Sequence, residues 1–198
     1  MENIKQYHLS KNKIQSRLKD FKNLSEEEKF KEFLFCLLTP QSNAQRCWNA
    51  VEEISKLREI KEETVFNILK SKTRFHITKT KRILEAKDNW NKIKYNLNNK
   101  EVKELRNFLA ETVNGYGLKE ASHFLRNIGL SGNQIAILDR HILRNLRKYN
   151  IIKESKVKNK KAYLEIENSF INFANQLSIP PDELDLLWWS QENGEIFK

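Results

Sequence analysis

Val113-Asn114-Gly115-Tyr116-Gly117-Leu118-Lys119 separates two stretches with apolar residues at helical spacing: Val102, Leu105 and Leu109 before it, and Ala121, Phe124, Leu125 and Ile128 after it. A glycine-bearing turn between amphipathic helices makes a helical hairpin over about residues 102–128. A Rossmann loop needs a preceding strand, and a P-loop needs more residues and a Gly-Lys-Ser/Thr ending, so both are excluded. The remaining chain points the same way. Its 198 residues hold only five Gly and three Pro, and the long intervals between them carry helical rather than alternating periodicity. The expected class is all-α, built as one unit with no internal repeat or convincing domain boundary.

Working outward, Phe30, Phe33, Leu34, Leu37 and Leu38 form one apolar stripe that Pro40 stops. Ser42 is expected to cap the next helix, with Ala44, Trp48 and Val51 turned inward. Two helical stretches between Glu59 and Asn99 meet at the basic joint Ser71-Lys72-Thr73-Arg74-Phe75-His76, flanked by Lys79, Lys81 and Arg82. Beyond Asp139, a helix carries Ile142, Leu143, Leu146 and Tyr149. A lysine-rich loop from Lys153 to Lys161 then leads into a helix from Tyr163 to Leu177. Pro180 and Pro181 suit a helix start, and Asn193-Gly194 a helix end.

The chain has 36 Lys and Arg against 26 Asp and Glu, a formal charge of +10, and a pI near 9.5. That balance suits a nucleic-acid binder, and equally a lysine-rich surface kept for solubility. Cys36 and Cys47, with no other cysteine in the chain, match neither a zinc spacing nor a disulfide framework and exclude a four-cysteine iron–sulfur cluster. Buried reduced thiols are expected, with no metal and no cofactor. Met1 to Ser10 lacks the apolar core of a secretion signal and the longest apolar run is six residues, Phe33 to Leu38, so a soluble cytoplasmic protein is expected.

Gly115 and Gly117 permit positive φ and close backbone approach, so amides at the start of the second helix can face a DNA phosphate; a tight interhelical turn is the plainer reading. Such a contact fixes position but carries no base identity. Lys119 stands in the first turn, where the helix dipole, and burial if present, disfavour an ammonium. A neutral amine there can attack a sugar C1′ and form a Schiff base; a solvated surface lysine is the alternative. Asp139, twenty residues on, either caps the following helix or stabilises the positive charge that develops as a glycosidic bond breaks, and the two roles are compatible. His123, one turn after Lys119, lines the same face or packs between helices.

These stretches resemble the helix-hairpin-helix DNA glycosylases, specifically the type-2 8-oxoguanine DNA glycosylase/AP lyases of archaea and some bacteria. The resemblance rests on Leu38-Thr39-Pro40-Gln41-Ser42-Asn43-Ala44, on Arg74-Phe75-His76 with Thr78 to Ile83, and on the hairpin from Gly115 to Gly129. Leu138-Asp139-Arg140-His141-Ile142-Leu143 and the terminal Trp-bearing helix complete it. It implies two helical lobes flanking a DNA cleft, with Lys119 as the nucleophile and Asp139 as the essential acid. The damaged base is flipped from the duplex, and a combined glycosylase and lyase acts as a monomer on nucleoid DNA carrying oxidised guanine.

The resemblance further implies that Trp189 stacks on the base and that Lys198 contacts it through the terminal carboxylate. His123 joins them, and Gln41 and Asn43 sit near the gap left in the duplex. Ordinary roles compete at each position: core packing for Trp188 and Trp189, a solvated end for Lys198, and turn and cap duties for Gln41 and Asn43. Two functional alternatives stand: a non-catalytic hairpin module that only holds phosphate, and a glycosylase/lyase for another oxidised base.

Overall fold

The computed structural model describes residues 2–194, 196 and 197, and of Glu2 and Asn193 only the backbone. Among the described residues there are ten helices and no strand. The chain gathers into two compact units, one from residues 1–23 with 125–198 and one from residues 24–124. Among the described residues no helix is long and apolar enough to cross a membrane.

The 24–124 unit holds α2 (Glu26–Leu38), α3 (Ala44–Ser55), α4 (Glu62–Lys70), α5 (His76–Leu97), α6 (Val102–Thr112) and the start of α7 (Leu118–Asn127). A capping box between Ser25 and Glu28 starts α2, and its buried run from Phe33 to Leu38 is the centre of this unit. Phe33 carries the aromatic core, with ring centroids 5.3 Å from Trp90, 5.3 Å from Tyr116 and 5.4 Å from Phe124.

Two details of α3 differ from the sequence expectation. Asn43, not Ser42, is the N-cap, accepting from the Arg46 amide at 3.0 Å; the Ser42 hydroxyl instead serves a neighbouring loop. The fully buried face is Cys47, Ala50, Val51 and Ile54, an unbroken i, i+3, i+4, i+7 pattern, and Ala44 and Trp48 lie on its half-buried edge. Both cysteines are free and buried, as expected.

The other unit holds α1 (Glu2–Lys22), α8 (Arg140–Lys148), α9 (Lys160–Gln176), α10 (Pro181–Asn193) and the end of α7. α1 carries little sequence signal because it buries only a thin heptad seam, Asn3, Tyr7, Ile14 and Phe21, within 21 largely polar residues. Pro181 opens α10 and Gly194, at φ 80°, closes it. Trp188 is fully buried, stacked on Tyr149 at 5.9 Å, and it donates its indole N–H to Asn3. Arg126 and Asp185 form a buried ion pair at 3.1 Å.

Candidate nucleic-acid interface and active site

In the 24–124 unit the hairpin turn is fastened from both sides. Tyr116, the residue between its glycines, is buried and donates its hydroxyl to the Phe33 carbonyl at 2.9 Å. Burial holds that phenol well above its ordinary pKa, so it remains a donor. Asn114 donates to Glu85 at 3.1 Å. Gly115, at φ 98°, lies under Arg82, whose side chain a Cβ would meet at 2.6 Å. Only Gly115 uses the left-handed region; Gly117 does not, and it has room for a Cβ. The Gly117 amide donates at 3.2 Å to Glu120, whose carboxylate reaches back across the first turn.

Lys119 sits in that first turn with about a quarter of its side chain exposed, 26%, and its Nζ is 3.4 Å from the Glu120 carboxylate. One turn on, His123 is buried edge-on against Phe35 at 5.7 Å. Gln41 is exposed at φ 55° on the loop between α2 and α3, and Asn43 ends that loop as the α3 cap.

In the other unit Asp139 is half-buried and caps α8, its Oδ1 accepting from the amides of His141 at 2.8 Å and Ile142 at 2.9 Å. Capping therefore occupies one carboxylate oxygen. The segment leading to it, Ile135 to Leu138, is buried in a non-helical conformation. Two α9 side chains satisfy its backbone: Glu167 accepts from the Ala136 amide at 2.8 Å, and Tyr163 donates to the Ala136 carbonyl at 2.6 Å. Arg144 of α8 pairs with Glu192 of α10 and holds that carboxyl below its ordinary pKa. Trp189, the half-buried neighbour of Trp188, packs near Phe197 at 6.2 Å. Lys198 lies outside the described residues. No group of three or more His, Cys, Asp or Glu suited to a metal ion occurs among the described residues.

The family model described as 8-oxoguanine DNA glycosylase matches residues 14–179. The chain belongs to the 8-oxoguanine DNA glycosylase family. It is 41% identical to the 8-oxoguanine DNA glycosylase/AP lyase of Fusobacterium nucleatum over 93% of this chain and 91% of the relative. To that of Methanocaldococcus jannaschii it is 38% identical over 91% of this chain and 87% of the relative. The crystal structure of the M. jannaschii enzyme in complex with a 15mer DNA containing 8-oxoguanine matches with a TM-score of 0.86 at 34% identity, covering 100% of both chains. The 8-oxoguanine DNA glycosylase of Thermotoga maritima matches with a TM-score of 0.90 at 30% identity, covering 100% of this chain and 97% of the other.

Against this family background one exposed residue stands out that the sequence reading quoted without a role. Phe75, 54% exposed, sits at φ 57° just before α5, followed by Ile77 at 61%. Arg74 lies over the Phe75 ring at 5.3 Å. The signal of Phe75 in the sequence is an aromatic set within the basic joint Arg74-Phe75-His76.

Proposed function

We propose that this glycosylase excises 8-oxoguanine from duplex DNA and then cuts the strand by β-elimination. Lys119 Nζ attacks C1′ of the flipped nucleotide, the base departs, and the resulting Schiff base makes the sugar's C2′ proton acidic enough to remove. Asp139 stabilises the positive charge that builds on the sugar while one of its oxygens keeps the α8 cap. Trp189 supplies the stacking face for the base, with Lys198 and His123 as further contacts. The Gly115 and Gly117 turn takes a backbone phosphate, which displaces the Glu120 carboxylate from the Gly117 amide. Gln41, Asn43 and the exposed ring of Phe75 meet the bases around the gap. The protein acts as a monomer on nucleoid DNA in the cytoplasm.

The observation that carries this reading is Lys119 itself: an amine left partly open at the first turn beyond the hairpin, in a chain of this family. Borohydride added to the protein on an 8-oxoguanine duplex is expected to yield a covalent complex that Lys119→Gln abolishes. Undiminished trapping in that variant removes Lys119 from the mechanism. A panel of duplexes carrying 8-oxoguanine, an oxidised pyrimidine or an abasic site reports the preferred lesion, and binding without any product reduces the protein to a phosphate-holding module.

A further inference from the structure

Lys79, in the second turn of α5, is 1% exposed, a costly place for a lysine. Burial is the largest of the causes that pull its pKa down to about 8, with Arg82 and Arg74 pushing the same way and Cys47 opposing. Its ammonium is spent on one loop. Nζ donates to the Leu38 carbonyl at 2.6 Å, the Pro40 carbonyl at 3.0 Å and the Ser42 hydroxyl at 2.8 Å. Those acceptors bracket Gln41, and Asn43 follows them directly.

The loop needs such a donor. Pro40 has no N–H, so the end of α2 loses a backbone bond, and Thr39 Oγ1 turns back to the Cys36 carbonyl at 3.3 Å. Gln41 occupies the left-handed region without being glycine, at φ 55°, a conformation that persists only where surroundings over-determine it. The Leu38 carbonyl takes a second donor, the Cys47 thiol, at 3.2 Å. Ser42 Oγ also accepts the Arg74 amide at 2.9 Å, so the turn bearing Phe75 hangs from the same hydroxyl. A methionine could fill this space without burying a charge. Three directed bonds to one irregular loop are what the charge adds.

We propose that Lys79 is a positioning residue that fixes the 38–43 loop from below and, through Ser42, the adjoining turn at Arg74, so that Gln41 and Asn43 stand preformed where duplex DNA arrives. This rests on the assignment of Gln41 and Asn43 to DNA made above. Lys79 touches no reacting atom; it acts through the loop.

The test is single-turnover excision of 8-oxoguanine from a duplex by the wild type, Gln41→Ala, Lys79→Met and the double variant. Lys79→Met slows excision by about tenfold to a hundredfold, the scale on which a misplaced positioning group acts. The double variant is no slower than the slower single variant, because both changes disable one loop. Borohydride trapping on a single strand with a preformed abasic site, which has no base to extrude, stays within about threefold of the wild type. Multiplying losses in the double variant, equal losses on both substrates, or a Gln41→Ala protein of unchanged rate overturns the proposal. Should Lys79→Met not fold, Ser42→Ala replaces it; removing one of the three acceptors gives the same pattern at about threefold. A wild type that traps no DNA defeats the repair reading itself, whereas multiplying losses in an active enzyme defeat only the role of Lys79.

Discussion

Two neighbouring groups in one protein are driven in opposite directions by the same burial. Lys79 falls from 10.5 to about 8, desolvation outweighing the nearby Cys47, with Arg82 and Arg74 pushing the same way as burial. Cys47 rises from 9.0 to about 11, again by desolvation, against the lowering effects of Lys79 and Ser42. Between pH 8 and 10.5 the unfolded chain keeps a lysine proton that the folded protein has released, so this group adds stability as pH rises. Cys47 works against it from about pH 9, where the folded protein retains a thiol proton that the unfolded chain loses. A net gain is thus confined to roughly pH 8 to 9. Cys47 is common to wild type and Lys79→Met, so the difference between their urea midpoints should shift in favour of the wild type from about pH 8 to 10.5, and a constant difference would contradict the shift. None of this was legible beforehand, because a lysine in a basic joint reads as solvated. The placement of Lys119 in a first turn and of Asp139 at a helix start was legible, since both positions are set locally, by a glycine turn and by a cap.

Helices here were legible where a broad apolar face met a recognisable end. Pro40 just beyond α2 and Pro181 with Gly194 for α10 are examples. The two misses have separate causes: α1 buries only a narrow seam within a largely polar stretch, and the α3 cap lies one residue on, with Ser42 engaged by Lys79 and Arg74. Two glycines flanking α7 separate local strain from packing. At Gly115 an added Cβ meets only the movable end of Arg82, so Gly115→Ala carries mainly the cost of φ 98°, about 1–2 kcal/mol. It should melt somewhat lower and bind DNA more weakly. At Gly129, φ 72°, the new Cβ meets the Lys22 backbone at 2.7 Å, which cannot swing aside. Gly129→Ala should destabilise by more than Gly115→Ala in urea titration; equal costs would show that α1 yields.

At the scale of the whole molecule, the proposed mechanism has the charge of +10 act on encounter and the amine of Lys119 on reaction. Surface cations release counterions when DNA is bound, and this release weakens as salt rises, whereas a nucleophile already against its sugar gains little from distant charge. Affinity for duplex DNA should therefore fall steeply between about 50 and 200 mM salt, by a factor on the order of a thousand if six or more phosphates are neutralised. Excision measured at saturating protein should change far less, within about threefold, because chemistry then starts from the bound complex. Trp188 and Trp189 extend the same division to the fold. Trp188 is wholly buried in its aromatic stack, so its replacement by alanine should cost about 3–5 kcal/mol of stability. Trp189→Ala should leave the urea midpoint nearly in place while slowing excision at saturation. If salt depressed the saturated rate as strongly as the affinity, the charges would belong to the chemical step, and separate assignments to encounter and reaction would have to be withdrawn.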